Sequence, residues 1–119
     1  MVFESHRLSP AARKAIHDCR QSGLGLGISD FTLLELARLH WQGRIHIRAS
    51  LDPFLEEIGT MFEVLRMTGK VCAQAFDLPA SFPKDPADRV IVATALVYGL
   101  PLITSDRAIR RSRACTTIW

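Results

Sequence analysis

"KDPADRVIVATALVYGLPLITSDRAIRRS", residues 84–112, decides the fold. Nearly everything between Arg89 and Thr104 is apolar, yet Asp88 stands at the entrance of this run and Asp106 at its exit. Pro86 suits the first position of a helix, where a missing N–H is no loss, and Asp85 is placed to cap that helix. Gly99 supplies the residue that closes it. "PLITS" then reads as a buried strand and "DRAIRRS" as a helical turn. A buried hairpin of helix and strand is expected, with an acid at each end.

The same signals recur outward from this hairpin. "LSPAARKAIHDCRQSG" reads as a helix with Ser9 as cap, Pro10 as first residue and Gly23 as stop. "LGLGIS" is a short strand, and "SDFTLLELARLHWQGR" a second helix capped by Ser29 or Asp30 and ended by Gly43. "SLDPFLEEIGTM" predicts a helix with Asp52 at the cap and Pro53 first. "FEVLRM" is a strand, "TGKVCAQAFDLP" a helix that stops before Pro79, and "CTTIW" a last strand. Strands alternating with helices predict an α/β fold with parallel strands, whose ligand site lies beyond the strands' carboxyl ends. Asp106 directly follows "PLITS" and occupies such a place.

The 119 residues are expected to form one domain, 1–119, and 48% apolar content excludes a disordered chain. Cys19, Cys72 and Cys115 are odd in number and contain no C-x-x-C pair. Neither a disulfide framework nor a zinc ribbon is suggested, so buried or half-buried thiols in a reducing cytoplasm are expected. "MVFESHRL" lacks the apolar core of a signal peptide. The run Val90 to Ile103 is too short for a bilayer and is broken by Thr94, Gly99 and Pro101, so a soluble protein is expected. The net charge of +3 is a mild excess. Its arginines gather in two groups, Arg107, Arg110, Arg111 and Arg113, and Arg38, Arg44 and Arg48. Such groups suit phosphate, though on their own they are more often a solvated face.

Three carboxylates carry the candidate chemistry. Asp88 is the third residue of its helix, where the dipole and free amides favour it, and Asp106 is placed to cap the next helix. Glu35 lies within "TLLELARL", whose leucines cover most of the helix circumference. A carboxylate buried there needs a partner, either an arginine or a metal ion. Together the three acids offer oxygen ligands for Mg²⁺ or Mn²⁺, with a water activated for attack on a phosphodiester.

"DPADRVIVATALVYGLPLITSDRAI" resembles the C-terminal signature of PIN-domain ribonucleases, specifically the VapC-type toxins of toxin–antitoxin pairs. "RLSPAARKAI" is similar to that family's first helix, "LLELARLHWQGRI" to its acidic second helix and basic turn, "FEVLRMT" to its middle strand, and "TTIW" to its last. The resemblance implies a three-layer fold, a short and mainly parallel sheet flanked by helices. It implies a metal site of Glu35, Asp88 and Asp106, and a hydroxyl at Thr104 that supports the metal-bound water. Asp85 matches a frequent aspartate, read here as a cap. An RNA substrate, a cognate antitoxin, a homodimer and Mg²⁺ or Mn²⁺ follow from the same likeness. Arg44, Arg89 and Arg107 are candidates for RNA phosphate contacts, with surface solubility or antitoxin salt bridges as their other role.

One departure is expected to matter. The family pattern opens with an aspartate-bearing strand, central in the sheet between the strands matching "LGLGIS" and "PLITS". Here "MVFESH" stands ahead of the first helix, and no aspartate occurs before Asp18. On this likeness the first strand is expected to be missing, which would leave two buried strands without main-chain partners. The resemblance leaves two functions open: a metal-dependent endoribonuclease of impaired activity, or a catalytically inactive module that binds an antitoxin.

Overall fold

The computed structural model describes residues 8–48 and 50–119. Along the chain it forms α1 (Pro10–Gln21), β1 (Gly27–Ser29), α2 (Asp30–Trp41), α3 (Leu51–Met61), β2 (Glu63–Leu65), α4 (Gly69–Phe76), α5 (Pro86–Tyr98), β3 (Leu102–Ile103), α6 (Arg107–Ser112) and β4 (Thr117–Ile118). "MVFESH" lies outside the described residues. Most boundaries follow from capping chemistry. The side chains of Ser9, Ser29, Thr68, Asp85 and Asp106 each accept a hydrogen bond from a main-chain N–H in the first turn of the helix they open. Helix α3 is the exception. It begins two residues before Pro53, at Leu51, and Ser50 makes no side-chain cap bond. Proline is tolerated at the third helical position because the first-turn N–H groups have no intrahelical acceptor to lose.

Helix α5 is the centre of the packing, with seven of its thirteen residues buried. Val90 and Ala93 meet Val71 and Ala75 of α4, with Phe31 and Val97 packed at the margin. Val92, on another side of the helix, meets Leu78, Phe82 and Ile109. Burial nearly all round therefore accounts for the apolar run. The polar Thr94 is tolerated because its hydroxyl donates to the carbonyl of Val90 at 2.7 Å. Gly99 ends the helix in the left-handed region at φ +66°, which a residue with a Cβ enters at a cost.

Arg89 is the unexpected member of this core, only 8% exposed. Its guanidinium donates to the carbonyl of Ala75 at 3.1 Å and to that of Phe82 at 3.2 Å. Its Cζ lies 5.9 Å from the ring centre of Phe76 and 5.6 Å from that of Phe82. Ala75 is in the last turn of α4, where carbonyls lack helical partners and the dipole is negative. A cation there satisfies that end and ties it both to α5 and to the loop before it.

The strands are short and parallel. β1 pairs with β2 in the register Gly27↔Glu63, Ile28↔Val64 and Ser29↔Leu65, and β3 pairs with β4 in the register Leu102↔Thr117 and Ile103↔Ile118. A Cβ at Gly27 would lie 2.8 Å from Leu65 Cδ1, so a larger residue here would require the Leu65 side chain to shift. Among the described residues the two pairs are not joined into one sheet. The strands are also shorter than "LGLGIS" and "FEVLRM" suggest, because only three residues of each pair.

Replacing Arg89 tests the clamp. Arg89→Met keeps the aliphatic stem but leaves two carbonyls without a donor, at an expected cost of about 2–4 kcal/mol. Arg89→Lys should restore only part of it, since a point charge cannot match the planar fork. Urea unfolding measures both; a midpoint unchanged in Arg89→Met would show that the clamp contributes nothing.

Candidate active site

Four carboxylates converge on the N-terminal end of α5. Asp85 and Asp88 are the cap and third residue of that helix, one turn apart and so on one side of it. Asp85 Oδ1 accepts from Ala87 N at 2.9 Å, which fixes the side chain and leaves its second oxygen uncommitted to that bond. Asp106 follows β3 and caps α6, with Oδ1 accepting from Ile109 N at 2.9 Å. Thr104, in the same β3–α6 connection, accepts from Asp106 N through its hydroxyl oxygen at 3.1 Å. That turn sets the main chain of Asp106 and leaves the hydroxyl proton of Thr104 free to donate. Glu35 arrives from α2, which packs against α5.

The electrostatics show that these groups feel one another. The carboxyl of Asp88 is pushed above its ordinary range, first by partial burial and then by the negative charges of Asp85, Asp106 and Glu35. Arg38 is pushed up by its bond with Glu35 and, more weakly, by the charge of Asp85. Three chain segments thus bring acids into one local field at the carboxyl side of β3. No metal-gripping cluster of three His, Cys, Asp or Glu side chains occurs among the described residues. The donor set nonetheless has the chemistry of a hard cation site: all oxygen, and strongly negative where no base stands beside Asp88 to offset it.

Glu35 differs from the sequence expectation. Helix α2 is not buried all round: it buries Thr32 and Leu36, whereas Leu34 is 61% exposed and Trp41 is 83% exposed. Leucines around a helix mark burial only if other elements cover every side, and α2 is left open on one. Glu35 meets the arginine of its two anticipated partners: Arg38 Nη2 lies 2.9 Å from Oε2 and Nε lies 3.2 Å from Oε1.

The three candidate arginines do not share a place. Arg89 is enclosed, and its guanidinium serves the carbonyls of Ala75 and Phe82, so the structure removes it from the candidate phosphate contacts. Its place after Asp88 made it look like a site residue, whereas one position further round the helix, about 100° from Asp88, its side chain is turned toward the core. Arg44 is exposed beyond the C-terminal end of α2. Arg107 is exposed at the first residue of α6, next to Asp106. Sequence reasoning also missed the second role of Asp85. It caps α5 as read, but its charge also acts on Asp88, and the i, i+3 spacing of the two aspartates was the available signal. The cysteines are free thiols, with Cys72 exposed rather than buried.

A short parallel α/β fold with acids gathered at the start of a central helix defines a class. The chain belongs to the PIN domain family, whose profile matches residues 2–114. It is a VapC-type member: over 118 residues it is 37% identical to Ribonuclease VapC22 of Mycobacterium tuberculosis (strain ATCC 25618 / H37Rv), an alignment covering 98% of this chain and 88% of that protein.

The raised carboxyl of Asp88 has a signed consequence. An acid that binds its proton more readily in the folded chain contributes stability at low pH, which is lost as pH rises through the folded-state value. Asp88→Asn should therefore raise the urea midpoint at pH 7 in metal-free buffer, and the advantage should vanish as pH falls below the ordinary aspartate range near ~4. A midpoint lowered at pH 7 would mean that the Asp88 charge stabilises the helix end more than its neighbours oppose it.

Proposed function

We infer that this chain is the toxin of a type II toxin–antitoxin pair and acts in the cytoplasm as a metal-dependent endoribonuclease. The observation that carries the reading is the meeting of Asp88 with Asp106, Glu35 and Asp85 in a PIN-family chain, supported by a relative named a ribonuclease. Glu35, Asp88 and Asp106 are the residues that would hold Mg²⁺ or Mn²⁺. A bound divalent cation supplies charge neutralisation on the phosphoryl group and a water of lowered pKa.

The remaining work falls to the chain's own residues. Capping bonds hold one oxygen each of Asp85 and Asp106, which presents these side chains without further loss of freedom. Thr104 has a proton to offer a water or phosphate oxygen, because its own oxygen is already accepting from Asp106 N. Arg38 fixes the rotamer of Glu35. Arg107, beside Asp106 and exposed, is suited to a backbone phosphate, and Arg44 to a more distant one. The exposed Leu34 and Trp41 suit a protein partner, an antitoxin or a second copy of the chain.

One observation favours a second reading, a PIN-like module that binds an antitoxin without cleaving RNA. The described carboxylates are not drawn close enough to grip an ion as they stand. Cleavage of single-stranded RNA with added Mg²⁺ or Mn²⁺ separates the two. Cleavage by the wild-type chain is expected, and its loss in Asp88→Asn and Asp106→Asn with an unchanged circular dichroism spectrum, since asparagine still caps. Wild-type protein that binds an antitoxin and cuts no RNA under either metal would establish the second reading.

A further inference from the structure

A second charged feature runs along α6. Arg107, Arg110, Arg111 and Arg113, with Thr117 of β4, line one concavity of about 500 Å³. Among the described residues none of these four guanidiniums has a carboxylate within ion-pair distance; the described salt bridges are Lys14–Asp18 and Arg38–Glu35. A helix C-terminus favours basic side chains, and that accounts for Arg110 and Arg111 in the last turn. It does not account for four unpaired cations around one hollow.

Arg113 provides an independent observation. It caps α6 at φ +53°, the one described residue other than glycine with a positive φ. Glycine or asparagine occupies that conformation at less cost, so an arginine there carries strain that its charge must justify. The strained cap delivers this fourth cation into the concavity.

Distance along the helix connects the two ends. Arg110 to Arg113 lie four to seven residues beyond Asp106, roughly 6–10 Å at ~1.5 Å per residue. At a rise of about 3.4 Å per nucleotide, that corresponds to two to three nucleotides of a stacked strand. The acidic end repels a polyanion until a cation is present, so metal-free affinity for RNA has to come from elsewhere on the surface.

We propose that the concavity formed by Arg107, Arg110, Arg111, Arg113 and Thr117 is a phosphate-binding subsite for the RNA strand that enters the acidic site, engaging its backbone two to three nucleotides from the bond at Asp88 and Asp106. This deepens the reading given under Proposed function and rests on it. Guanidinium forks match phosphate oxygens two at a time, and contacts of this kind position a strand without reading its sequence.

The test is fluorescence anisotropy of a labelled single-stranded RNA in EDTA, so that binding is measured without cleavage. The comparison is between the wild type and the triple variant Arg110→Gln, Arg111→Gln, Arg113→Gly. Affinity should fall roughly tenfold or more, and the slope of log K against log salt should lose about two units, three contacts at ~0.7 each. The melting temperature should hold or rise, because glycine relieves the cap at position 113. Unchanged RNA affinity and slope would overturn the proposal. So would loss of binding to polyglutamate with RNA binding retained, which would make the surface a dock for an acidic protein segment. Absence of RNA cleavage by the wild type with either metal would overturn the nuclease reading alone, since the EDTA measurement does not depend on it.

Discussion

The guanidinium of Arg89 is the constraint on which the site depends. A buried cation without a carboxylate is costly, and it is tolerated because two carbonyls and two phenyl rings receive it. One of those carbonyls ends α4, and the other lies in the loop that leads to α5. A single side chain therefore fixes the first turn of α5 relative to both. Asp85 and Asp88 are in that turn, with Arg89 as the next residue. The clamp thus decides where the acids stand although it takes no part in their chemistry.

Around that turn the molecule accepts an electrostatic penalty. On α1 the surface acid Asp18 has a base beside it, Lys14 at 2.7 Å. Asp88 instead meets three further carboxylates. Such an arrangement lowers the stability of the bare chain and is retained where it serves a bound cation. The adjacent arginines of α6 are the complement: positive charge without ion-pair partners among the described residues, close to acids that repel one another. The pattern suits a ligand that carries phosphates and arrives with a metal.

The fold was legible where local chemistry alone decides it. Asp85, Pro86 and Gly99 bound α5 as read, and Ser9 and Ser29 open α1 and α2 for the same reason. Legibility fell where neighbours decide. The leucines of α2 suggested burial on all sides, but Leu34 stays exposed, and Glu35 found its base one turn away. Arg89 looked like a phosphate contact because it follows Asp88, while its burial depends on Phe76 and Phe82 from segments the local pattern does not connect. The acids were found through a family likeness more than through spacing. Convergence of Glu35, Asp88 and Asp106 is a tertiary fact, which a separation of 53 positions between the first two cannot reveal.

The central claim is that these carboxylates share one cation. Substoichiometric Mn²⁺ added to isotope-labelled protein would report this directly, since the paramagnetic ion broadens the NMR signals of nearby nuclei. The account predicts that signals from Glu35, Asp85, Asp88, Thr104 and Asp106 fade together, ahead of those from the exposed Asp18, Asp52 and Glu63. Broadening that begins at the exposed acids, or that leaves Glu35 and Asp106 sharp while Asp88 fades, would contradict a shared site.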